Sequence, residues 1–139
     1  MPKMFITILV AVMIAVGFVT VLVLKTKIEI NNIKIFNQEY EEYNKDNLTG
    51  ADIASVINKV KNHNTNSEDH QIAITIRITE VIEGEKYDIT VDIDQIYQQG
   101  TEKFVQFYGW YKFKCTETTY DGPAGKINGM KFENIQNEI

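Results

Sequence analysis

The feature that most constrains this chain is an uncharged apolar run, FITILVAVMIAVGFVTVLVL, from Phe5 to Leu24. As a helix rising ~1.5 Å per residue, such a run is roughly 30 Å long, the thickness of a bilayer's hydrocarbon core. A helix that is apolar on every side finds no partner in a small soluble domain, so lipid is its expected solvent. The chain therefore reads as three parts: a transmembrane signal-anchor over residues 1–24, a helical extension over 25–46, and a small α+β domain over 47–139.

A cleaved secretory signal is the competing reading of the run. Ala15-Val16-Gly17 offers small residues for a cleavage site, but cutting there leaves the apolar stretch Phe18–Leu24 as a new N-terminus. Signal peptides carry a shorter apolar centre of about 7–15 residues, so an uncut single-pass anchor is expected. Lys3 precedes the run and Lys25, Lys27 and Lys34 follow it, a distribution that on its own weakly favours a cytoplasmic C-terminal domain. N-terminal anchors in bacterial chains of this composition commonly hold their domain outside, and Glu29 dilutes the basic cluster. The expectation adopted is an extracytoplasmic domain.

Charge narrows the class of partner. Residues 66–99 carry only Arg77 and Lys86 against Glu68, Asp69, Glu80, Glu83, Glu85, Asp88, Asp92 and Asp94, within a chain of formal net charge −5. An acidic domain without a basic stripe argues against nucleic acid. The lipid bilayer is the first partner, with a second copy of the chain or other envelope proteins next. Cys115 is the one cysteine, so no intrachain disulfide can form.

Beyond the anchor, Ile33, Phe36, Tyr40 and Tyr43 fall on one helical face, and no Pro or Gly interrupts Phe18 to Asn44. A turn at Asp46–Gly50 then leads to Thr49 followed three residues later by Asp52, a variant of the capping box. Ile53, Val56, Ile57 and Val60 recur at helical spacing, predicting a short amphipathic helix from Gly50 to Lys61, ended by Asn62-His63-Asn64.

The rest alternates with a period of two. Ile72, Ile74, Ile76 and Ile78 predict a strand, Glu83-Gly84-Glu85 a turn, and Tyr87, Ile89, Val91 and Ile93 its antiparallel partner. A long strand is expected from Phe104 to Thr118, with Val105, Phe107, Tyr111, Phe113 and Cys115 on one face. After a turn at Asp121–Gly125, a last strand runs from Lys126 to Ile135, with Gly129 as a bulge. The expected fold class is α+β: a long N-terminal helix, a short second helix and a four-stranded antiparallel meander sheet, its apolar face covered by helix.

A long helix, half in the membrane and half packed on a four-stranded sheet, resembles the layout of the type IV pilins and the pseudopilins of secretion systems. Gly17-Phe18 is similar to the pilin processing junction, whereas Leu22 stands where pilins carry Glu. Phe36-Asn37, Gly50 to Lys59, Phe113-Lys114-Cys115 and Gly125-Lys126-Ile127 are locally similar to small single-pass proteins of clostridia, a likeness that implies no function. The pilin resemblance implies a non-enzymatic envelope protein with a scaffolding or assembly role.

Candidate sites are few. His63 and His70 flank a loop with Glu68 and Asp69, types that ligate transition metals, but their spacing matches no established metal pattern and a solvated loop is expected. Asp88, Asp92 and Asp94 share the outward face of the predicted second strand, a solvated face without the cleft that acid–base chemistry needs. Cys115 reads as a small buried hydrophobe. The stretch Phe104–Phe113 is the anomaly: Tyr108 and Trp110 with Gln106, Lys112 and Lys114 make an aromatic and basic surface. Tyr108, Trp110, Lys112 and Lys114 are the candidate binding residues of the alternative reading, an anchored ligand- or glycan-binding module. No cofactor motif, Gly-rich phosphate loop or nucleophile elbow occurs.

Overall fold

The computed structural model describes residues 2–122 and 125–135. The chain divides into two compact units, Met1–Ile35 and Phe36–Ile139. Helix α1 (Pro2–Glu41) accounts for the first unit and its last turns belong to the second. The most apolar 18-residue window of α1 has a mean hydropathy of 2.9 and none of that window is buried. By length and composition this helix can cross a membrane.

The second unit begins where α1 acquires a buried face. Tyr40 and Tyr43 enter the core, and Phe36 packs against its margin. The Tyr43 hydroxyl lies 2.9 Å from Ser55 Oγ, and Lys59 donates to the carbonyl of Glu39 at 2.8 Å. Burial pushes the Tyr40 hydroxyl up to about 12, with Glu39 and Tyr43 adding to the shift.

Strand β1 (Leu48–Thr49) leads directly into helix α2 (Gly50–Asn66). The junction is the full capping box: Thr49 Oγ1 accepts from the Asp52 amide at 3.2 Å, and Asp52 Oδ2 accepts from the Thr49 amide at 2.9 Å. Ile53, Val56, Ile57 and Val60 form the predicted apolar ridge, all fully buried. Each such side chain contributes about 1.5–3 kcal/mol relative to exposure. The helix outruns the predicted end at Lys61 by more than a turn. Asn64 explains why that extension is useful: its amide donates to the Ile72 carbonyl at 2.9 Å and its oxygen accepts the Ile72 N–H at 2.8 Å.

Strand β2 (Ala73–Ile82) and strand β3 (Glu85–Thr90) form the expected antiparallel hairpin. Both loop residues have positive φ, Glu83 at 53° and Gly84 at 82°, the geometry of a tight two-residue type I′ turn. After Thr90 the structure departs from the alternation. Asp92 caps helix α3 (Ile93–Gln99) by accepting from the Gln95 amide at 3.1 Å, and helix α4 (Glu102–Tyr108) follows. The predicted strand Phe104–Thr118 is therefore a helix and then a strand, β4 (Lys112–Asp121), which pairs with β5 (Lys126–Asn134). An irregularity between Thr119 and Tyr120 places the extra residue Asn128 beside Gly129, where a bulge was expected.

The sheet is mixed and five-stranded, in the order β1-β4-β5-β2-β3, and not a four-stranded antiparallel meander. The physical reason is the insertion of α3 and α4 between β3 and β4. That excursion carries the chain off the β3 edge, so β4 starts at the far side and β5 pairs parallel to β2. Ile74, Ile76, Ile78, Phe113, Ile127, Met130 and Phe132 face the helices and are buried, while Ala73, Thr75, Arg77, Lys112 and Lys114 face solvent. The unit is a two-layer α+β domain with one open sheet face.

The capping box joins β1 to α2 and so carries more than a helix end. Thr49→Ala is expected to lower stability by about 1 kcal/mol, checked by denaturant unfolding of the detergent-solubilised chain.

Candidate functional site

The aromatic stretch keeps its residues but loses its predicted face. A strand would have aligned Tyr108 and Trp110 with Lys112 and Lys114; the helix-to-strand change at Gly109–Tyr111 instead puts Tyr108 on α4 and the two lysines on β4. Tyr108 ends α4 half-buried, its ring 5.3 Å from Phe104 and edge-on to Tyr111 at 5.2 Å. Tyr111 stacks on Phe113 at 6.4 Å, and its hydroxyl donates to Glu80 Oε1 at 2.6 Å. That hydrogen bond, more than burial, pushes the Tyr111 hydroxyl up to about 12. Lys112 and Lys114 flank the buried Phe113 and so point to the opposite, open face of the sheet.

Trp110 stands apart, 95% exposed, with Phe107 close in sequence at 68%. Large apolar rings that stay in water while their neighbours pack are the surface type that anchors partners or stacks on sugars. Gly50 fixes the base of this projection. A Cβ there would sit 2.1 Å from the Tyr108 carbonyl oxygen and 2.6 Å from the Gly109 Cα, so α2 and the end of α4 meet backbone to backbone. A shallow cavity of about 250 Å³ opens beside Phe107 and Tyr108, lined also by Val91, Ile96 and Phe104.

A second cluster was not legible as such. His63, on α2, and His70, ahead of β2, do not sit in a solvated loop. His63 Nε2 lies 2.8 Å from His70 Nδ1, and His70 Nε2 lies 3.3 Å from Asp121 Oδ2, off line for a hydrogen bond. Phe36 covers both rings, at 4.9 Å from His63 and 5.5 Å from His70, and Lys126 Nζ lies 4.5 Å from the Phe36 ring centre. One nitrogen of the facing pair must carry a proton and the other must not. Glu68 and Asp69 stay outside the cluster, and among the described residues no group of three or more His, Cys, Asp or Glu is placed to hold a metal ion.

The neighbouring Asn37 binds both edges of the β4–β5 connection, donating to the Gly125 carbonyl at 2.7 Å and accepting from the Ile127 amide at 3.0 Å. The cluster thus ties the last turns of α1 to α2 and to the β4–β5 connection. No signal in the sequence brings two histidines seven residues apart together; only the longer α2 does.

The acidic candidates disperse. Asp88 lies on β3, where it accepts from Thr79 Oγ1 at 2.6 Å and from Arg77 at 3.1 Å, contacts that hold its carboxyl below the usual range. Asp92 and Asp94 belong to the first turn of α3 instead of sharing a strand face. Cys115 is half-buried, its sulfur 3.4 Å from Thr118 Oγ1.

Comparison with protein-family models, with curated proteins and with solved structures gives no match for this chain.

Burial first, and then the neighbouring His70 and Lys126, lower the pKa of His63 from 6.5. A depressed histidine pKa favours the fold when the ring is neutral. The contribution is present above pH 6.5 and is lost as pH falls through the lowered value. Thermal unfolding followed from pH 7.5 to 5 is expected to show falling stability below that point, and His63→Gln is expected to flatten the fall.

Proposed function

We propose that this is a non-enzymatic, single-pass membrane protein that tethers a small α+β contact domain to the cell membrane, on its outer side, in a scaffolding or assembly role in the envelope. The observation that carries the proposal is the apolar helix itself: long enough to span, with no part of its most apolar window buried by the protein. Such a surface in water would be a large aggregation liability, and a bilayer removes it. The projecting Trp110 and Phe107 supply a contact surface on the tethered domain. The pilin-like reading enters as one of layout: a long helix whose outer turns, through Phe36, Tyr40 and Tyr43, are built into an α+β domain.

A second reading, a ligand- or glycan-binding module, is favoured by one observation, the nearly complete exposure of Trp110. Because it is the only tryptophan, its fluorescence reports on that surface alone. Titration with cell-wall glycan fragments should leave the emission unchanged if the scaffold reading holds. A saturable shift, abolished by Trp110→Ala, would replace it with the binding module.

Two measurements test the anchor. The full chain is expected to stay with membranes after alkaline carbonate washing, and removal of residues 1–24 to release it. Single cysteines introduced at exposed positions of the domain should react with an impermeant thiol reagent in intact cells. Extraction by carbonate would overturn the tether, and protection from the reagent would reverse the assigned side.

A further inference from the structure

The five-stranded sheet ends on β3, and that edge carries a pattern that the fold does not use. All six residues Glu85–Thr90 are exposed, and among the described residues no strand lies beyond them. Parity decides which backbone groups point outward. The Val91 amide donates to the Ile76 carbonyl at 2.9 Å, so Ile76 and Val91 begin the hydrogen-bonded series. Counting by twos through the register, Ile89, Tyr87 and Glu85 direct their backbone groups inward to Ile78, Glu80 and Ile82. Lys86, Asp88 and Thr90 are left with N–H and C=O facing solvent, an open ladder.

Most edge strands are protected by charges that repel a second strand. Here the two charges have opposite sign and sit two residues apart, on the same side of the ladder. We propose that this edge is a self-pairing surface: β3 of one copy pairs antiparallel with β3 of a second copy, in a register centred on Tyr87. A two-fold axis through Tyr87 sets Lys86 opposite Asp88 of the second copy, twice, as hydrogen-bonded pairs of opposite charge. The register centred on Asp88 instead opposes two carboxylates, and the one centred on Lys86 opposes two ammonium groups. Among the registers centred on Lys86, Tyr87 and Asp88, charge selects the one on Tyr87.

The same pairing covers apolar surface that the domain leaves in water. Tyr87 and Ile89, 46% and 41% exposed, lie on the helix side of the hairpin beyond the reach of the helices. Around the proposed axis Tyr87 meets Tyr87 of the second copy, and Ile89 lies across from Glu85. Asp88 keeps its bonds to Thr79 and Arg77, which hold the carboxylate in place for the incoming lysine. A pairing of about five residues is small against the about 1,000 Å² of a free-standing specific interface. Confinement of both copies to one bilayer supplies the missing effective concentration. In that respect, and only there, the inference rests on the anchor proposed above.

The test is cysteine cross-linking of the full chain in liposomes, in a Cys115→Ser background. Tyr87→Cys is expected to form a disulfide-linked dimer on mild oxidation, because a non-hydrogen-bonded antiparallel pair brings the two Cα atoms within disulfide range. Lys86→Cys and Asp88→Cys should each fail to cross-link alone and should cross-link when mixed. Adding Lys86→Glu to Tyr87→Cys should reduce the dimer about tenfold, as should Asp88→Lys, and combining both reversals should restore it. Restoration excludes misfolding as the cause of the single losses. Self-cross-linking through position 88 in preference to 87, or indifference to charge reversal, would overturn the proposal. A chain that resists carbonate yet stays monomeric overturns the edge pairing and leaves the anchor standing; a chain released by carbonate fails at the anchor instead.

Discussion

The second unit depends on one close approach, that of α2 to everything around it. Its ridge of Ile53, Val56, Ile57 and Val60 is wholly withdrawn from water, and its first residue is a glycine pressed against the backbone of Tyr108 and Gly109. The buried ridge supplies the driving force and the glycine sets the distance. Further along the same helix, Lys59 and Lys61 donate to the carbonyls of Glu39 and Tyr97, on α1 and α3. Helix α2 therefore locates the last turns of α1, the α3–α4 pair and the sheet in one frame, and a helix of lesser length would lose Asn64 and His63 from their places.

What the sequence made legible follows from signals with a single reading. The capping box at Thr49 and Asp52, the ridge of α2 and the isoleucine alternation of β2 each serve one local structure, and each was found where expected. The hairpin turn at Glu83-Gly84 belongs with them. The failures came where two periods fit the same residues. Val91 and Ile93 continue the alternation of β3, yet Asp92 with Gln95 three residues on is also a helix start, and the helix prevailed. Phe104, Phe107, Tyr108 and Tyr111 lie at helical spacing as well as within a strand-like run. The helical spacing is the one that lets Phe104 reach the core beside Phe113.

Those two misreadings account for the third, the topology. Once residues 93–99 and 102–108 are helical, β3 and β4 are no longer joined by a tight turn and need not be neighbours. The parallel contact of β2 with β5 is then a consequence of where the chain re-enters the sheet, information that resides in no single segment. The candidate site suffered the same way. Tyr108, Trp110, Lys112 and Lys114 share a face in an uninterrupted strand, and the structure instead divides them among α4, the turn at Gly109-Trp110 and β4. The histidine pair shows the converse, since a tertiary contact joins two residues that look solvated in the sequence.

The carboxamide of Asn64 has the chemistry of a peptide group, one N–H donor and one carbonyl acceptor, and it presents both to Ile72 as a neighbouring strand would. In effect the sheet is sealed at this point by a counterfeit residue of strand, borrowed from a helix. An Asp in its place would keep the acceptor and lose the donor, setting a carboxylate against the Ile72 carbonyl. Strand β2 is thus bonded to β5 along one side and to β3 along the other, and Asn64 takes up the backbone groups of Ile72 just ahead of it, so that on this side of the sheet the edge left to solvent is that of β3.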